Sequence, residues 1–186
     1  MSKLFLLLFL IPMLSSAAPE FIEDDCSVCE KTYPNGHKYV GSWKNGNQTG
    51  AGTYTWPNGQ KYVGSFKNGL RDGNGTQTYP NGHKYVGSWK NDNQTGVATY
   101  TWPNGLKYVG SYKNGMREGV GTQTYVDGEY VGSWKNDKFD SGTMEIIKEG
   151  KKHSIVFLDG KELGEKAGQD YLKKKANKKN SPNSNK

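Results

Sequence analysis

Cys26 and Cys29, in the acidic run FIEDDCSVCEK, are the two thiols of this 186-residue chain and the first place to look for chemistry. A Cys-x-x-Cys pair works as a redox centre at a strand-to-helix junction of a βαβ unit, or as half of a zinc site when two more ligands lie near. No βαβ pattern follows, and His37 is the single nearby candidate ligand. A local disulfide closing a tight loop in an oxidising compartment is therefore expected, with pairing between chains as the alternative. His37 and His83 sit at equivalent points of a repeat, four strands apart; at about 4.8 Å per strand they are roughly 19 Å from each other and cannot share a metal. Asp72 and Glu118 are separated by the same repeat. With no Ser/His/Asp or Cys/His constellation to assemble, the chain is not expected to be an enzyme, and neither a metal nor a cofactor is expected.

The elements that carry these residues follow from internal repetition. Tyr-Val-Gly-Ser starts at Tyr39, Tyr62, Tyr85 and Tyr108, spaced by 23, and returns at Tyr130 after 22. Residues 33–78 and 79–124 differ at only eight positions, which marks a duplicated 46-residue pair. Within a unit, Tyr39, Gly41 and Trp43 alternate with Val40, Ser42 and Lys44, the period-2 pattern of a strand with two unlike faces. Asn45-Gly46 supplies a tight reversal. A second strand follows with Gly52, Tyr54 and Trp56 on one face, and Pro57-Asn58-Gly59 leads into the next unit. Each unit is a β-hairpin, and the packing set recurs as Tyr62, Gly64 and Phe66, then Tyr85, Gly87 and Trp89, Tyr108, Gly110 and Tyr112, and Tyr130, Gly132 and Trp134. A glycine between two aromatics leaves a flat patch on which a ring from the neighbouring strand can lie.

Tyr-Val-Gly-Ser-Trp-Lys-Asn-Gly, followed by Gly-x-Gly-Thr-Tyr and Pro-Asn-Gly, resembles the MORN (membrane occupation and recognition nexus) repeat over about residues 33–144. The resemblance implies an elongated, twisted β-sheet that serves as a scaffold. The fifth unit departs from the pattern: after Trp134-Lys135-Asn136-Asp137 it is one residue short and lacks the first glycine. Some members of the family are attached to phosphoinositide kinases, but this chain has no nucleotide-binding glycine loop followed by a catalytic Lys and Asp.

Composition agrees with a thin architecture. Only 33% of residues are hydrophobic, against 25 Gly, 12 Tyr, 6 Phe and 5 Trp. That excludes a thick aliphatic core, and so many aromatics exclude a disordered chain. The expected fold is all-β, an elongated single-layer antiparallel meander of 23-residue hairpins with a C-terminal capping hairpin and a short marginal helix. Residues 1–17, with Lys3 and an apolar run from Leu4 to Leu14, read as a signal peptide cleaved after Ala17, which makes the protein exported, periplasmic or secreted. Residues 18–32 read as an acidic linker, 33–144 as the array, 145–160 as capping strands, and 161–186 as a helix over 161–176 with a basic disordered tail.

Partners follow from charge and shape. The net charge of +7 is a thin scatter of lysines plus the tail. Two readings stand: a protein-interaction scaffold, engaging another protein or a second copy of the chain, and a binder of an anionic membrane or envelope surface through Lys38, Lys44 and their repeats. Nucleic acid is not expected. The N-terminal edge near Tyr33 to Trp43 reads as the likeliest place for strand addition. Trp56 and Trp102 suggest carbohydrate stacking as a third use, with packing on glycine as the competing explanation.

Overall fold

The computed structural model describes residues 25–148 and 150–179. Thirteen strands form one antiparallel sheet whose spatial order is the chain order. They are β1 (Asp25–Thr32), β2 (Lys38–Lys44), β3 (Asn47–Thr55), β4 (Lys61–Lys67), β5 (Leu70–Thr78), β6 (Lys84–Lys90), β7 (Asn93–Thr101), β8 (Lys107–Lys113), β9 (Met116–Tyr125), β10 (Gly128–Lys135), β11 (Lys138–Lys148), β12 (Lys151–Leu158) and β13 (Lys161–Leu163). One helix, α1 (Glu165–Lys179), follows.

Two turn types alternate along the sheet. Asn45 and Gly46 hold φ of 49° and 72°, the left-handed pair of a two-residue turn whose twist matches that of the strands it joins. Asn91-Asp92 and Asn136-Asp137 keep that geometry although an aspartate stands where glycine would be easiest. The longer turns close through Trp56 N–H to the Gln60 carbonyl and Gly59 N–H to the Trp56 carbonyl, both 2.9 Å. Tyr33, Tyr79 and Trp102 open equivalent turns.

Every hairpin of the array also carries a bulge. Gly41 faces Gly52, but the next residue, Ser42, faces Thr49, so Gly50 and Ala51 are extra on β3. Gly50 turns to φ 57° to accommodate them, as Gly73, Gly96 and Gly119 do in later units. Between β10 and β11 the same register break takes in one extra residue instead of two, with no left-handed residue in the bulge. The missing residue and missing glycine of the fifth unit are thus one event.

Several boundaries differ from the sequence reading. The acidic segment taken as a linker over 18–32 provides β1, which pairs with β2 from Asp25↔Lys44 to Thr32↔Lys38. The segment lacks the Tyr-Val-Gly pattern, yet Lys31 and Tyr33 pack with the array like a second strand of a unit. Cys26 and Cys29 are disulfide-bonded to each other and flank a register shift in this edge strand. The edge expected to accept another strand therefore carries β1 and its bulge, a device that discourages edge pairing. At the other end β11 crosses the 144/145 boundary, and Lys161–Leu163 form a strand on β12, so α1 starts at Glu165. Gly168 is where α1 meets the sheet: a Cβ there would lie 3.3 Å from Val156 Cγ2. The leader over 1–17 and the tail beyond Lys179 lie outside the described residues. Among the described residues no helix is long and apolar enough to cross a membrane.

Candidate functional site

The sheet has two unlike faces, and the aromatic one is built on a row of glycines. Gly41, Gly52, Gly64, Gly75 and Gly87 stand opposite one another strand by strand, and the row continues through Ala98 to Gly110, Gly121, Gly132 and Gly142. Into this trench lie Tyr39, Tyr62, Tyr85, Tyr108 and Tyr130, each fully buried. The ring comes from the glycine's own strand as well as from across it: a Cβ on Gly41 would meet Tyr39 Oη at 2.5 Å, and one on Gly52 would meet Tyr39 Cε2 at 2.6 Å. Each hydroxyl donates to the carbonyl three residues on, as Tyr39 does to Ser42 at 3.1 Å and Tyr85 to Ser88 at 2.9 Å. Between tyrosines stand Trp43, Phe66, Trp89, Tyr112 and Trp134, edge-on to the tyrosine of their own strand, with centroids 5.1–5.4 Å apart. Phe66 and Trp89 also touch the tyrosine of the preceding unit. The result is one continuous aromatic ladder.

Burial pushes the Tyr39, Tyr62, Tyr108 and Tyr130 hydroxyls from the ordinary 10.0 up to about 12, and raises Tyr85 and Tyr112 further. Because the unfolded chain ionises first, the stability these groups supply is intact below pH 10 and is lost as the pH rises toward 12. We expect the melting temperature to stay level up to pH 9 and to fall steeply between pH 10 and 12, followed by circular dichroism. A level profile through pH 12 would show that these hydroxyls are free to ionise within the fold.

Around the ladder lie polar side chains that strand alternation alone does not pair. Arg71 stacks over Trp89, 4.0 Å from its centroid, and reaches across to the next turn. Its Nε donates to Asp92 Oδ1 at 2.8 Å, Nη2 to the Asp92 carbonyl at 3.1 Å, and Nη1 to Gln77 Oε1 at 3.1 Å. Arg117 repeats the arrangement on Trp134, Asp137 and Gln123. A groove of about 340 Å³ opens beside the first cluster, lined by Tyr33, Gln48, Tyr54, Trp56, Arg71 and Asp92 among others. Trp56 and Trp102 do not lie on the glycines, contrary to the packing explanation. They rest half-buried on Tyr54 and Tyr100, at 4.6 and 4.7 Å. His37 and His83 are held apart in their own units by Tyr54 and Tyr100, each 2.8 Å from its partner hydroxyl. Among the described residues no group of three or more His, Cys, Asp or Glu could hold a metal.

The opposite face is flat and small-residued. Val40, Thr53, Val63, Thr76, Val86, Thr99, Val109, Thr122, Val131, Thr143 and Val156 form a single cross-strand row. Val63, Val86, Val109 and Val131 are each more than 40% exposed, whereas Val156, beneath α1, is 2% exposed. A parallel row of Lys38, Lys61, Lys84 and Lys107 alternates with threonines along one border. Lys38 is paired with Glu30 at 2.6 Å. Lys90, on the other border, is paired with Asp72 at 3.0 Å, and its hydrogen bond lowers the Asp72 pKa.

A one-layer sheet of hairpins, each leaning only on its neighbours, defines a repeat scaffold. The MORN repeat family profile matches residues 39–61, 62–84, 85–107, 108–129 and 130–140, and the chain belongs to that family. No curated protein matches it. Among solved structures, it is similar to the TCP domain of Drosophila melanogaster SAS-4, solved in complex with a proline-rich motif of Ana2. That alignment covers 80% of this chain and 97% of that one, at 15% identity and a TM-score of 0.38, too loose a likeness to carry over anything about partners.

Proposed function

We propose that this protein is an exported, non-catalytic scaffold that engages a protein partner, or a second copy of itself, through the Val/Thr face of its sheet. The observation that carries the reading is the β-branched row, in which exposed Val63, Val86, Val109 and Val131 alternate with half-buried threonines. Exposed apolar side chains aligned along one face mark an interaction site. The chain itself supplies an example of what covers the row: α1 seats Gly168 on Val156, which is 2% exposed beneath it. The lysine border favours a second reading, in which the same face rests on an anionic membrane.

Salt separates the two. Apolar contact survives ionic strength, whereas lysine attraction fades as the Debye length falls from about 10 Å at 0.1 M to about 3 Å at 1 M. Crosslinking with mass spectrometry on exported protein, and sedimentation of the purified chain, should show an association that persists at 1 M salt. Val109→Glu should weaken that association at least tenfold while leaving the melting curve within about 0.5 kcal/mol, as expected of a surface site. A monomer that binds anionic vesicles at low salt and releases them at high salt would replace the protein reading with the membrane one.

A further inference from the structure

The aromatic face carries two matching sets of side chains that neither reading above uses, and a groove opens beside the first of them. In the first, Tyr54 and Trp56 form one wall, their centroids 4.6 Å apart, with Tyr54 fixed by His37 Nδ1 at 2.8 Å. Tyr33 closes one side, its hydroxyl accepting a bond from Gln48 Nε2 at 3.1 Å. The polar side is the Arg71–Asp92 pair. Arg71 commits three of its five N–H groups to Asp92 and Gln77, which leaves two to donate. Both bonds to the Asp92 side chain go to Oδ1, and Oδ2 accepts none from a described residue. The rings and the ion pair are thus ordered before any ligand arrives.

From this geometry we propose that the groove binds a short, uncharged glycan. A pyranose presents a face of C–H groups suited to an aromatic wall. Its neighbouring hydroxyls each donate and accept, and so match a guanidinium beside a carboxylate oxygen. The pair is neutral as a unit, so the groove does not select an anion such as a phosphate or a sulfated sugar. A proline-rich peptide has an apolar face too, but its imide backbone offers acceptors without donors and would leave Asp92 unmatched. The volume of about 340 Å³ falls at the small end of ligand-site sizes.

The constellation occurs twice. Shifted by one repeat pair, Tyr100 and Trp102 stand 4.7 Å apart, His83 Nδ1 holds the Tyr100 hydroxyl at 2.8 Å, and Arg117 bonds Asp137 and Gln123. The proposal therefore extends to two sites per chain, the second resting on the recurring side chains, since the cavity beside Arg117 and Asp137 is lined by Tyr125, Trp134 and Phe139. Four strands at about 4.8 Å place them roughly 19 Å apart.

An array of neutral, sulfated and sialylated glycans, followed by isothermal titration of the best neutral oligosaccharide, tests the assignment on the full mature chain. The expected result is saturable binding of a neutral glycan at about 1 mM or tighter, with two sites per chain. Trp56→Ala and Asp92→Asn should each remove one of the two sites, and Trp56→Ala with Trp102→Ala should remove both, with the β-sheet circular dichroism unchanged. Asp92→Asn keeps the side chain's size, so it decides the matter if Trp56→Ala fails to fold. Val109→Glu should leave glycan binding intact, which separates failure here from failure of the scaffold reading. Absence of any neutral ligand, retention of both sites in Asp92→Asn, or preferential binding of sulfated glycans or of decaproline would overturn the proposal.

Discussion

Trp89→Ala is expected to lower the stability of the array by about 3–5 kcal/mol, as a large aromatic removed from a well-packed site does. The residue is 4% exposed and stands edge-on to Tyr62 at 5.4 Å and to Tyr85 at 5.1 Å, so its removal breaks the ladder at the junction of two units. Arg71 loses its platform as well, having rested 4.0 Å from the indole centroid. The chain supplies its own control, because Phe66 and Tyr112 occupy the equivalent place in alternate units. Trp89→Phe should therefore cost much less, since a six-membered ring still fills the junction. Urea unfolding of both variants checks this. Equal losses for phenylalanine and alanine would show that the indole's size, or its contact with Arg71, matters more than continuity of the ladder.

Gly64→Val should be at least as damaging. An added Cβ would sit 2.5 Å from both Gly75 Cα and Tyr62 Oη, and 2.7 Å from the Asn74 carbonyl oxygen. Two of those atoms are backbone, fixed by the pairing of β4 with β5, so relief requires that Tyr62 leave its trench or that the strands part. Overpacking commonly costs about 1–3 kcal/mol, and a clash against paired backbone belongs above that range. A loss of this size is a large share of the roughly 5–15 kcal/mol that holds a domain together. Ala98 tells how far the trench can stretch: it is tolerated opposite Gly87, and a methyl on Gly87 would then collide with the one already present. Ala98→Gly should accordingly be mild and Gly87→Ala severe, a contrast that thermal melts of the two variants would expose.

Much of this was legible in the sequence because the same short pattern is written five times. The period fixed the hairpins, Asn-Gly located the tight turns, and the alternation of Tyr39, Gly41 and Trp43 against Val40 and Ser42 separated the faces. β1 was illegible for the opposite reason: a single degenerate strand offers no period, and its cysteines drew attention to chemistry instead of pairing. The direction from which rings reach the glycines depends on a side chain folding back over its own strand, which alternation does not encode. The Arg71–Asp92 pair joins residues 21 apart, and its prediction needs the two-residue bulge that brings Arg71 opposite Phe66. Trp56 lies on the face that alternation assigns it, but its rest on Tyr54, two residues away at 4.6 Å, is a contact that alternation does not encode.

Among the described residues the sheet runs from a bulged, disulfide-tied strand to a three-residue strand and a helix, and every strand between them comes from one chain. Each further pair of units would add about 19 Å at 4.8 Å per strand and carry one more copy of the Trp56-type cluster with it. The molecule is in that sense a ruler, on which the distance between two occupied positions is set by counting repeats.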